Sequence, residues 1–167
     1  MTPAELLIDS LDRIRGSVEG VLEGLDDAAL VARPAPDANT IAWLVWHLTR
    51  VEDDHIAEVA GHEQVWTADG FARRFDLPFD DGAIGYGFSA EEVGQVVASA
   101  ELLREYFAAV RERTTAYVAG LTAEDLDRVV DDRWDPPVTL GVRLISVVND
   151  ATQHVGQAGY VAGLVTR

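Results

Sequence analysis

The 167-residue chain has no cysteine. That excludes disulfides, thiolate metal sites and a cysteine nucleophile, and a cytoplasmic location is expected. Lysine is absent too: all 13 basic residues are arginine, set against 29 acidic ones for a formal net charge of −16. With that balance and no basic stripe, phosphate backbones are repelled and nucleic acid is not an expected partner. Nowhere do about 18 apolar residues run together, and the N-terminus lacks a basic segment leading into an apolar core. Neither a membrane span nor a leader is therefore expected.

Apolar residues make up 48% of the chain, enough for one domain over 1–167 with a sizeable core. Their spacing is helical. A first helix is expected over Pro3–Leu25, capped by Thr2, with Leu6, Leu7, Leu11, Ile14, Val18, Val21 and Leu22 on one buried face. A second starts at Asn39 or Thr40 and stops near Gly61. Residues 62–88, rich in Gly, Asp and aromatics, read as loops with one short helix. Ser89 and Glu92 have capping-box spacing and open another short helix. A third long helix covers about 99–119, and a fourth about 139–164 with Leu140, Leu144, Val147, Val148, Ala151, Val155 and Ala158 inward. "LTAEDLDRVV" reads as a capped helical turn and "DDRWDPPVT" as a loop, and no strand is expected. Four helices of roughly 20 residues, ~30 Å each, pack naturally as an all-α four-helix bundle with a long linker between helices two and three.

"TIAWLVWHLTR", at 40–50, places His47 inside a run that otherwise reads as buried helix. On the fourth helix Asp150 and His154 stand four residues apart, so they share a face beside the apolar stripe. Two readings are open. A histidine on an apolar face is often a hydrogen-bonded core residue, and an Asp–His pair at this spacing is often just a favourable helical contact. Alternatively His47, Asp150 and His154 converge as two imidazoles and a carboxylate around one cation with an open coordination position. Spacing alone does not choose between them.

"TIAWLVWHLTRVEDDH" resembles the second-helix signature of the DinB-like (DinB/YfiT) superfamily of four-helix-bundle metalloenzymes. "NDATQHVGQAGY" resembles its fourth-helix signature, in which a ligand and a histidine four residues later precede Gly-Gln or Gly-His. The resemblance spans almost the whole chain and implies His47, Asp150 and His154 as ligands of a divalent metal. Zinc suits two imidazoles and a carboxylate, with nickel and iron as alternatives. Many members carry histidine where this chain has Asp150. The metal-binding domain of mycothiol-dependent maleylpyruvate isomerases has a carboxylate there, and this sequence is similar to it in that respect. The isomerase's separate C-terminal domain has no counterpart here.

The resemblance implies a thiol S-transferase that takes a small substrate and mycothiol or a related low-molecular-weight thiol, since the chain has no thiol of its own. A homodimer is a further expectation of the same origin. A metal-dependent hydrolase and a non-catalytic, metal-stabilised interaction or dimerisation module are the alternatives. Arg50, one turn beyond His47, and Trp43, one turn before it, are the candidate cofactor contacts. For Arg50 a surface ion pair with Asp53 or Asp54 is favoured over reception of an anionic substrate. Asp53, Asp54 and His55 read as a solvated helix end, with His55 ~12 Å along the axis from His47 and too far to share its ion. His62 is expected in water. Trp46 and Trp66 read as core rather than pocket lining, and Tyr86 and Trp134 as loop residues that could close over the metal end. Ser146, Asp150 and His154 lie along one rigid helix and cannot converge as a catalytic triad. "GAIGYG" lacks the lysine and strand of a phosphate loop and reads as a turn.

Overall fold

The computed structural model describes residues 1–166. Four long helices carry the fold: α1 (Pro3–Leu22), α3 (Ile41–Ala60), α7 (Ala100–Ala119) and α8 (Leu140–Val165). Their N-caps are Thr2, Thr40, Ser99 and Thr139, each side-chain oxygen accepting a backbone N–H of the first turn. Both α1 and α3 pack against α7 and α8, so α1 lies diagonally across the bundle from α3. None of these helices is long and apolar enough to cross a membrane.

Three short helices fill the connections on either side of α3: α2 (Asp27–Val31), α4 (Val65–Ala68) and α5 (Phe71–Phe75), and a fourth, α6 (Ala90–Gln95), precedes α7. The first helix is shorter than its apolar periodicity suggests. It stops at Leu22 because Gly24 adopts a left-handed φ of 71°, and Asp26 then caps α2 as a separate element. The linker after α3 holds two short helices where one is expected, besides the α6 that its Ser89–Glu92 capping box announces. A two-stranded antiparallel ribbon, β1 (Val129–Asp131) with β2 (Val138–Thr139), replaces the expected loop ahead of α8. β-Branched residues at 129, 130, 138 and 139 favour the pairing, and Arg133 and Arg143 anchor it through Asp131. Arg133 beside Asp131, first by its side-chain hydrogen bonds, holds that carboxyl well below the usual carboxylate range.

The core forms two clusters. The larger holds Trp43, Trp46, Trp66, Phe71, Phe75 and Tyr106 with the upper halves of the long helices, and the smaller gathers Leu7, Leu11, Ile56, Val118, Leu140 and Leu144. The linker thus contributes core of its own: Trp66 packs on Tyr106 at 5.2 Å and on Phe75 at 5.1 Å between ring centroids. The α3 helix is buried nearly all round, polar residues included. Glu52 pairs with Arg111 of α7 at 2.9 Å, both out of solvent. Burial raises the Glu52 pKa, with Arg111 opposing.

Candidate metal centre

His47 sits in the middle of α3, held in place by core on both sides. Trp43, one turn earlier, stacks flat on the imidazole with centroids 4.5 Å apart and planes 9° from parallel. Across the bundle seam α8 presents Asp150 and His154, one turn apart. The two imidazoles meet nearly edge to face, 4.7 Å between centroids. A ligand-type atom from each of His47, Asp150 and His154 lies within 4.8 Å of the others. Spacing alone leaves open whether the two helices bring these side chains together; the fold does so.

Hydrogen bonding then decides which atoms are free. The His47 Nδ1 lies 2.5 Å from the Ile84 carbonyl oxygen. A carbonyl only accepts, so Nδ1 carries the proton and Nε2 keeps its lone pair. His154 repeats the arrangement within its own helix, its Nδ1 being 2.9 Å from the Asp150 backbone carbonyl. That nitrogen is also 3.3 Å from Asp150 Oδ2, a second and longer contact beside the nearer carbonyl, and the buried Oδ2 has no other partner. A buried carboxylate oxygen so poorly satisfied is costly unless something positive meets it. Two Nε2 lone pairs and one such oxygen, with both rings oriented by backbone carbonyls, fit a divalent cation.

Electrostatics separates the two rings. Burial lowers the His47 pKa, against the opposing pull of the Ile84 carbonyl, and His154 adds to the lowering. Burial also works to lower His154, but the Asp150 carboxylate and carbonyl outweigh it and raise its pKa overall. His47 is therefore the ring held neutral. The site opens on the α8 side, where Asp150 and His154 are half-buried while His47 is out of solvent.

Ile84 and Gly85 belong to the "GAIGYG" segment that reads as a mere turn. It is a strap laid over His47. Gly85 has φ 91°, and a Cβ there would stand 2.8 Å from His47 Nδ1 and 3.0 Å from Trp46. Only glycine fits both the conformation and the space. Nothing in the spacing of a single sequence joins residue 84 to residue 47. The glycines flanking Tyr86 were the available signal, since an isolated run of them marks a close backbone approach. Tyr86 itself lies at the rim, its ring centroid 6.2 Å from that of His47.

The other candidates fall elsewhere. Trp43 walls the site, stacked on His47 and edge-on to His154 at 6.0 Å. Arg50 neither faces a substrate nor pairs at the surface. It is fully buried, its Nε and Nη2 donating to the Ala83 and Asp81 carbonyls and its Nη1 to Gln64 Oε1 and the Tyr106 hydroxyl. Asp53 is not at a solvated helix end either: it is buried, with Oδ1 accepting the Val65 N–H and Oδ2 the Trp66 N–H and the Tyr106 O–H. Asp54 and His55 are half-buried. His55 joins Arg143, Glu58 and Asp54 in lining a cleft of about 620 Å³ that contains none of the three metal-ligand candidates. His62 is exposed as expected. Trp46 and Trp66 are core, and Trp134 stands two-thirds exposed beyond the ribbon.

A bundle whose second and fourth long helices converge two histidines and a carboxylate is the architecture of a recognised class, and the comparisons place the chain within it. The model of the DinB superfamily matches residues 10–158, and the protein belongs to that superfamily. Among solved structures, a conserved protein of locus from Enterococcus faecalis superposes with a TM-score of 0.93 at 34% identity, covering 99% of this chain and 98% of that one. No curated protein matches it.

Proposed function

We propose that His47, Asp150 and His154 hold one divalent cation, zinc before nickel or iron, and that the protein is a metal-dependent S-transferase using an external small thiol of the mycothiol type. The carrying observation is the convergence of the Asp150 carboxylate with two imidazoles whose Nδ1 protons are already committed. When bound, the cation would supply the Lewis acidity that brings a thiol toward deprotonation near neutral pH. The chain's own residues do the rest. Ile84 and the Asp150 carbonyl fix both rings, Trp43 excludes water from one side, and the Asp150 charge offsets part of the cation's. The α8 side gives access to thiol and electrophile. The carboxylate at 150, similar to that of the mycothiol-dependent isomerases, supports this choice of co-substrate.

Elemental analysis of the purified protein beside His47→Ala and His154→Ala tests the ligands: one metal per wild-type chain and little in either variant is expected, and equal contents in all three would refute the assignment. The zinc-loaded protein is then assayed with mycothiol and a chlorodinitrobenzene, from which chloride leaves as the S–C bond forms and the thiol proton passes to solvent. Turnover that needs metal and thiol together supports the transferase. Metal-dependent ester hydrolysis without any thiol would replace it with a hydrolase. If chelation unfolds the protein instead, the metal is structural.

A further inference from the structure

Two side chains of α3, three residues apart, grip the same short segment of the linker. His47 donates to the carbonyl of Ile84, and Arg50 donates to those of Asp81 and Ala83. Three of four successive carbonyls are thus tied to one helix face. The guanidinium is itself immobilised. It lies 4.8 Å over the Trp66 ring, 3.7 Å from Asp53 Oδ2, and against Gln64 and the Tyr106 hydroxyl. Asp53 in turn accepts from Tyr106 and from the first two N–H groups of α4. Burying an arginine completely is expensive unless its donors and charge are all met. Here every guanidinium nitrogen has an acceptor and a carboxylate stands nearby, and two of the partners are strap carbonyls rather than other core groups.

We infer that Arg50 is a positioning residue of the metal centre: by clamping Asp81 and Ala83 it holds the Ile84 carbonyl over His47, which fixes that ring with Nδ1 protonated and Nε2 free. The inference rests on the proposed ligand set but concerns the tautomer of one ring, which exists with or without metal. A planar fork is required. Lysine keeps the charge but cannot donate in plane to two carbonyls while stacking on Trp66. His154 provides an internal control, because its Nδ1 is held by a carbonyl of its own helix and owes nothing to the strap.

The test reads the imidazole nitrogens of the metal-free protein by 15N NMR, with zinc affinity measured in parallel. In the wild type both His47 and His154 are expected as Nδ1–H tautomers. In Arg50→Lys, His47 shifts to a mixture with the Nε2–H form and zinc binds about tenfold more weakly, while His154 is unchanged. Gly85→Ala, whose Cβ would push the strap off the ring with Arg50 intact, is expected to do the same, and it decides the matter if the lysine variant does not fold. A wild-type His47 found as Nε2–H overturns the inference at once. So does an Arg50→Lys protein with unaltered His47 and zinc affinity, or a Gly85→Ala protein with unaltered His47. Should the wild type bind no zinc, the ligand proposal falls, and the tautomer comparison still decides the role of Arg50.

Discussion

One turn separates two polar clusters on α3, and they differ in whether their hydrogen bonds close. Around Arg50, cation, carboxylate, hydroxyl and carbonyls satisfy one another inside the core. Around His47, two ring nitrogens keep free lone pairs and a buried carboxylate oxygen has only a long contact to His154. His47 is nearly as buried as the first cluster, 4% exposed against 0% and 2% for Arg50 and Asp53, although Asp150 and His154 are half-buried. Being buried and polar therefore does not mark a site. Convergence of ligand-type atoms with lone pairs to spare does, because a closed network has nothing left to offer a ligand.

The contrast breaks most visibly at Asp53. Asp53→Ala strands the buried Arg50 charge together with the Val65 and Trp66 N–H groups, so a loss of about 3–5 kcal/mol in urea unfolding is expected. His154→Ala should behave oppositely. Metal affinity, by calorimetric titration, falls at least 100-fold, while the metal-free protein loses no more than about 1 kcal/mol because the half-buried ring makes few closed contacts. A variant that unfolded as badly as Asp53→Ala would place His154 among structural residues. Thr40→Ala removes the cap that accepts the Trp43 N–H at 3.1 Å, and about 1 kcal/mol should disappear from thermal or urea stability. A smaller loss would mean that packing alone sets the start of α3.

The smallest effect concerns pH at a cluster far from both. The Asp131 pKa is depressed in the fold, so its pairing contributes fully above the unfolded carboxylate value near 3.9 and is lost as pH falls through the folded value. Asp131→Asn should therefore lower the melting temperature at neutral pH, and the gap from wild type should shrink steadily on acidification. A gap that widened in acid would contradict the assigned direction.

Much of this was legible in the residues. Thr2 and the choice of Asn39 or Thr40 announce the first two long helices, and apolar spacing names most of the buried faces. Asp150 and His154 declare themselves by their separation on one helix and His47 by its place in an apolar run, and the resemblance of both stretches to family signatures implies the three as one ligand set. What stayed hidden depends on distant partners. Asp53 looks like a surface acid until the linker returns to lay Val65 and Trp66 over it, and Arg50 looks free until 81–84 cross above it. The ribbon was missed because β1 and β2 are three and two residues long, too short for alternation to register, and held by Asp131 contacts that no local pattern encodes. Gly24 ended α1 early for a conformational reason that hydrophobic spacing does not carry.

The strap holds the His47 ring through a backbone oxygen of Ile84, with Gly85 lying too close for any Cβ. The grip therefore rests on main chain and on the glycine at 85. Tyr86, the next residue, points 79% of its surface outward while standing at the mouth of the site. A saturation library at that single codon can reshape what enters while the Ile84 hydrogen bond to the ligand beneath stays in place, which makes this loop a natural place to engineer selectivity.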